Sequence, residues 1–185
     1  MATMDAGKVT VGSAAVTGAI FVAPKGTALP TDATTALANT FKLLGFTSDA
    51  GVQIAEERES DSITAWEGRT EVLNITTSYT ESVSFTPIQC NDDVAKLTWG
   101  DANVTVDNDG AITAKHHGNT LEPVVIAIET VPREGVVRRY VGTFQLTERG
   151  EQVMDGTQVD GRQLTFNAIA DADGYTMIEY TAFTS

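Results

Sequence analysis

Along much of this chain, apolar and polar residues change places at every second position, in short runs separated by Gly, Asp, Asn and Pro. Leu73 and Ile75 alternate with Asn74, Thr76 and Ser78. Val83 and Phe85 alternate with Ser82, Ser84 and Thr86. Ile126 and Ile128 alternate with Ala127 and Glu129, and Ile178 and Tyr180 with Glu179 and Thr181. A period of two belongs to β-strands, because successive side chains leave the backbone on opposite faces. A run with one apolar and one polar face fits an antiparallel sheet with one side in water. Asp107-Asn108-Asp109-Gly110 and Asp171-Ala172-Asp173-Gly174 supply the turns. The expected class is mainly β: a two-sheet antiparallel sandwich or partly open barrel of roughly ten strands with one short flanking helix. Strand and helix runs do not alternate, which argues against a doubly wound sheet.

The chain reads as a single domain over 1–185. Residues 1–18, rich in Gly, Ala, Ser and Thr, suggest a flexible N-terminal arm. A strand is expected from Gly18 to Ala23, a polar loop over 24–36, and an ambiguous stretch over 36–48 whose apolar spacing suits either a helical turn or a strand. Val52 to Ala55 reads as a short strand. Residues 56–69 are too charged for a core and read as a protruding loop or long hairpin. Trp66 within it is either a contact residue or folds back on its own domain. Residues 70–86 read as a hairpin ended by Pro87. Asn91 caps a helix over about 92–98, with Asp92 and Asp93 in its first turn and Gly100 beyond its end. Trp99 is expected to pack there. Strands follow at 104–106, 112–114 and 124–128. A turn at 132–135, a long strand from Val137 to Leu146, a charged connection over 147–161, and strands at 164–168 and 177–183 complete the reading.

Catalytic and ligand signals are weak. His116 and His117 are adjacent, so on a strand they face opposite sides and cannot chelate one ion simply. The two acidic turns fail the calcium-loop pattern at both ends: Thr105 and His116 flank one alignment, Ile169 and Tyr180 the other. The single cysteine, Cys90, excludes an internal disulfide, and nothing beside it activates a nucleophile. Arg138 and Arg139 should diverge. A net charge of -13 disfavours adhesion to nucleic acid. No apolar run approaches the length of a membrane span. An enzyme is not expected, nor any cofactor or metal. A monomeric β-sandwich that binds a glycan through Trp66 or Trp99 is the alternative to an assembling structural subunit.

The stretch GAIFVAPKGTALPTDATTAL from Gly18 to Leu37, FKLLGFTSDAGV from Phe41 to Val52, and ITAWEG from Ile63 to Gly68 resemble the major tail tube proteins of long-tailed, non-contractile bacteriophages. The likeness is strongest over about 18–100. It implies two packed sheets with one flanking helix, and hexameric rings stacked head to tail into a hollow tube. It implies a location in the virion tail after assembly in the host cytoplasm, and a tape measure protein inside the growing tube. A tail terminator, distal tail or baseplate proteins, and non-adhesive passage of double-stranded DNA follow as partners, with no membrane insertion of this subunit. The loop at 56–69 would reach the adjacent ring, with Trp66, Glu67, Arg58, Glu59 and Asp61 as contacts. Candidates for the lumen wall are Glu71, Asn74, Thr76, Glu81, Ser82, Ser84, Glu129 and Glu179.

Overall fold

Among the described residues the alternation is realised in ten strands and one α-helix. The computed structural model describes residues 12–15, 18–131, 136–157 and 159–183. Most of the expected arm and the expected turn at 132–135 lie outside these residues. In chain order the strands are β1 (Ile20–Pro24), β2 (Lys42–Leu43), β3 (Thr47–Thr64), β4 (Glu71–Pro87), β5 (Val104–Val106), β6 (Ile112–Ala114), β7 (Val124–Thr130), β8 (Val136–Gln152), β9 (Arg162–Ile169) and β10 (Met177–Phe183). The helix α1 spans Asp92–Trp99. Eight strands form one antiparallel sheet in the order β2-β1-β7-β8-β9-β4-β3, with β10 added to β8. Strands β5 and β6 form a separate two-stranded sheet.

Strand β8 is where the main sheet divides. One of its edges runs along β7, from Val124↔Phe144 to Thr130↔Arg138. Its other edge is shared: β10 pairs with Val136 to Gly142, and β9 takes over from Thr143. Gly142 sits at the fork. A Cβ there would lie 2.7 Å from the Thr176 carbonyl oxygen where the chain enters β10. Gly142→Ala is therefore expected to destabilise the fold by about 1–3 kcal/mol through overpacking against backbone that cannot retreat. Urea denaturation with an unchanged m-value would check this.

The sheet curls so that distant strands share a core. Ile20 of β1 and Val83 of β4 belong to one buried cluster with Ile126, Ile128, Phe144, Leu164 and Phe166, although β7, β8 and β9 lie between them in the sheet. Phe85 and Phe166 stack with centroids 5.5 Å apart. Leu97 brings α1 onto the same cluster. On the opposite face, Val125, Ala127 and Val141 pack with Ala23 and Phe41. Strand β7 is thus covered on both faces, which is why its sequence VVIAI is continuously apolar.

The covering loop is held by a buried arginine. Arg139 is 3% exposed; its guanidinium pairs with Glu129 at 2.6 Å and donates to the carbonyls of Asp32 at 2.6 Å and Thr35 at 2.8 Å. The Asp32 carboxylate accepts from the Thr34 and Thr35 amides and the Thr35 hydroxyl, at 2.7, 2.6 and 2.6 Å. Those bonds, the Thr35 hydroxyl foremost, hold its carboxyl well below the usual carboxylate range. The loop is thereby fixed in a shape that presents its carbonyls to Arg139.

Helix α1 forms as its caps dictate. Asn91 Oδ1 accepts from the Val94 amide at 2.8 Å, while its Nδ2 donates to the Leu44 carbonyl at 2.9 Å. Gly100, at φ 90°, ends the helix by donating its amide to the Lys96 carbonyl.

Two expectations need correction and two open readings are resolved. Residues 70–86 are not a hairpin: from Glu71 they form one continuous strand, because no Gly or Pro interrupts the β-branched and hydroxyl-rich run before Pro87. Of the two readings of 56–69, loop or long hairpin, residues 56–64 take the second: they are strand, exposed at every position, and pairing with β4 satisfies the backbone despite the charge. The stretch 36–48 forms no helix: a turn at 39–40 leads into β2. Strand β8 continues through 147–152, which had read as connection, because β9 pairs it across two register shifts.

Candidate assembly interface

Strands β3 and β4 extend far beyond the sheet that anchors them. Strand β9 covers β4 only from Ser82 to Phe85. From Glu56↔Glu81 outward the two strands pair with each other alone, as a two-stranded ribbon ending in the turn 65–70. The Ala65 amide donates to the Thr70 carbonyl at 2.8 Å to close that turn. Trp66 stands in it 94% exposed. An isolated two-stranded ribbon is marginal in water, and this one is joined to the sheet only at its base.

Register decides what each ribbon face presents. The extra residues at Thr77 and Val72 lie in β4, so alternation along β3 is unbroken while β4 changes face twice. One face carries Glu56 with Glu81, Arg58 with Tyr79, Ser60 with Thr76, Ser62 with Asn74, and Thr64 with Glu71. The other carries Glu57 with Thr80, Glu59 with Ser78, Asp61 with Ile75, and Ile63 with Leu73. The second face is therefore a row of acids ending in three exposed aliphatic side chains, Ile63, Leu73 and Ile75.

The expected inter-ring residues thus lie on the ribbon, yet not on one face. Trp66 and Glu67 are in the tip turn, Glu59 and Asp61 share the acidic face, and Arg58 is on the reverse, 3.1 Å from Glu56 and over the Tyr79 ring. The eight lumen candidates are also divided. Glu71, Asn74, Thr76 and Glu81 share one ribbon face, and Ser82 and Ser84 project from the other at its base. Glu81 accepts from the Thr176 hydroxyl at 2.5 Å. Glu129 is part-buried in its pair with Arg139, so it is committed within the subunit. Glu179 is exposed on β10, 3.9 Å from Arg138 Nε. Arg138 and Arg139 do diverge, one toward β10 and the other into the loop at 32–35.

A second constellation was not legible in the sequence. Trp99, at the end of α1, stacks on His116 with centroids 3.5 Å apart, and the guanidinium carbons of Arg149 and Arg162 stand 4.9 and 5.4 Å from its ring centroid. The histidines lie past the end of β6, off any strand, so the opposite-face expectation does not apply; His117 Nε2 contacts Asn103 Nδ2 at 2.6 Å. Arg149 donates to the Thr98 carbonyl at 2.7 Å, and Arg162 to Gln152 at 3.0 Å. Neither forms an ion pair among the described residues. Burial, and then the charge of Arg162, push the Arg149 pKa down. With its ring occupied in this way, Trp99 is not an open platform for a sugar.

The outer edges of β2, β3 and β10 carry no partner strand among the described residues. The chain exposes 12290 Å², roughly 40% more than a compact monomer of its mass. Groups of three or more His, Cys, Asp or Glu placed to hold a metal ion do not occur among the described residues.

A model of the phage tail tube protein family matches residues 2–182. No curated protein matches. Among solved structures, the chain is similar to the tail of an empty gene transfer agent particle, computed by helical refinement with C6 symmetry. The identity is 12%, the TM-score 0.47, and the alignment covers 90% of this chain and 95% of the other. It is similar also to a chain of the virion of a native gene transfer agent particle, at 11% identity and TM-score 0.43, with 90% and 95% covered. With a projecting two-stranded ribbon, sheet edges without a partner strand among the described residues, and a family match over nearly its whole length, the chain belongs to the phage tail tube proteins, non-enzymatic structural subunits of the virion tail.

Proposed function

We propose that this subunit polymerises as hexameric rings stacked head to tail into a hollow tube around a tape measure protein, and that the tube later conducts double-stranded DNA. The observation that carries this reading is the ribbon from Glu56 to Glu81, which is exposed over most of its length and pairs with no third strand among the described residues. Within a ring, the unpaired edges of β2, β3 and β10 offer backbone donors and acceptors that neighbouring copies can satisfy. Between rings, the ribbon supplies reach. The net charge of -13 suits a conduit that repels phosphate rather than binding it. The ends of such a tube would meet a tail terminator and distal tail or baseplate proteins, with assembly in the host cytoplasm.

Negative-stain microscopy of concentrated protein, with size exclusion beside it, tests the proposal. Rings and tubes of uniform diameter are expected; a strict monomer, even with the tape measure protein present, would overturn it. Trp66→Ala should leave unfolding within about 0.5 kcal/mol of the parent, since the side chain touches little of its own domain. If Trp66 anchors the contact between rings, the concentration needed for tube formation should rise about 30-fold, corresponding to about 2 kcal/mol for an interface aromatic. Turbidity or sedimentation against protein concentration would measure it.

A further inference from the structure

The two constellations described above lie at opposite ends of the subunit. Along β4 the ribbon leaves the sheet beyond Ser82, whose partner on β9 is Asn167. Moving the other way, Phe85 pairs with Leu164, and Leu164 in turn with Arg149 of β8. Arg162 pairs with Gln152 further still from the ribbon. Helix α1, which begins after β4 has left the sheet at that same end, delivers Trp99 between Arg149 and His116. A head-to-tail stack brings such opposite ends together in every copy.

The two ends are chemically matched. The ribbon and its turn, from Glu56 to Glu71, hold six acids against two arginines. Its acidic face, with Glu57, Glu59 and Asp61, ends in exposed Ile63, Leu73 and Ile75. The far end holds Arg149 and Arg162 without an ion-pair partner among the described residues, beside exposed Val153 and Met154. Residues 147–162 also carry Glu148, Glu151, Asp155 and Asp160, with Asp160 bonded to Gln152, so the cationic feature is confined to the two guanidiniums that converge on the Trp99 indole without an ion pair among the described residues.

We infer that the Trp99–Arg149–Arg162 end of each subunit receives the acidic face of the ribbon from another copy of this chain, carboxylates on the guanidiniums and aliphatic tip on Val153 and Met154. This rests on the tube reading and names the receptor for the ribbon. The guanidiniums are held in place by the Thr98 carbonyl, Gln152 and the Trp99 ring, so they are ordered before the partner arrives. Preorganised cations on a part-buried aromatic surface bind carboxylates more strongly than mobile surface lysines do.

Charge reversal tests it on the full chain. Arg162→Glu should retain rings by native mass spectrometry while raising the concentration for tube formation at least tenfold. The ribbon variant Glu59→Lys with Asp61→Lys should do the same; both residues are exposed, so this variant stands as the test even if Arg162→Glu fails to fold. Combining the three substitutions should restore tubes in part, at a concentration below that of either variant alone, because the glutamate at 162 attracts the new lysines while Arg149 still opposes them. Tubes from either variant at the parent concentration, or a combined variant that stacks no better than the two it combines, would overturn this contact while leaving the tube reading intact. Absence of rings and tubes from the parent chain would overturn both.

Discussion

Replacing residues 57–80 with Asn-Gly is expected to yield a folded subunit that no longer forms tubes. Glu56 and Glu81 face each other directly in the ribbon, so a two-residue turn between them closes a short hairpin without moving the sheet. Everything removed is paired only with itself. The buried clusters draw nothing from it, since their contribution from β4 begins at Val83 and from β3 ends at Val52. The shortened chain should melt within a few degrees of the parent, because the ribbon buries little apolar surface against the entropy of ordering it. Assembly should respond very differently. Loss of the projection proposed to join rings removes its acids, aliphatic tip and Trp66 at once, and should raise the concentration for tube formation more than about 100-fold, corresponding to about 2.7 kcal/mol. Circular dichroism and sedimentation on the same preparation would read both.

The largest effect on the fold itself is expected at Arg139. Arg139→Ala should destabilise the subunit by about 3–5 kcal/mol, measured by chemical denaturation. Truncation leaves Glu129 part-buried without its counter-ion and strips the donors from the Asp32 and Thr35 carbonyls. The loop over the Val125–Ala127–Val141 face then loses its anchor. Removing both charges, in Arg139→Met with Glu129→Leu, should recover much of the loss, because the orphaned carboxylate goes with the cation. Equal instability of the single and double variants would show that the loop carbonyls, rather than the ion pair, set the cost.

Much of this architecture was legible because its signals are local. Period-two runs marked β7, β9 and β10; Asn91 and Gly100 marked the helix; Asp107 to Gly110 and Asp171 to Gly174 marked turns whose bonds now bear that out, with the Asp171 carboxylate accepting from the amides of Asp173 and Tyr175. What was missed depends on partners distant in sequence. Nothing in residues 56–64 distinguishes an exposed strand from an exposed loop until β4 is known to pair with it. Faces on β4 could not be assigned from alternation, since bulges at Thr77 and Val72 reverse them, and so the lumen candidates were grouped across two faces. Glu129 looked like a free acid on a polar face because its partner, Arg139, is ten residues on, in the neighbouring strand. The Trp99 cluster joins residues from α1, the segment after β6, β8 and β9, and only the fold converges them.

A helical reconstruction of assembled tubes at side-chain detail would show directly whether copies complete one another. The ribbon of each subunit should cross into the next ring, with Glu59 and Asp61 against Arg149 and Arg162 and the tip aliphatics covered. Tubes in which residues 56–81 lie back along their own domain, or hang in solvent touching no neighbour, would contradict it.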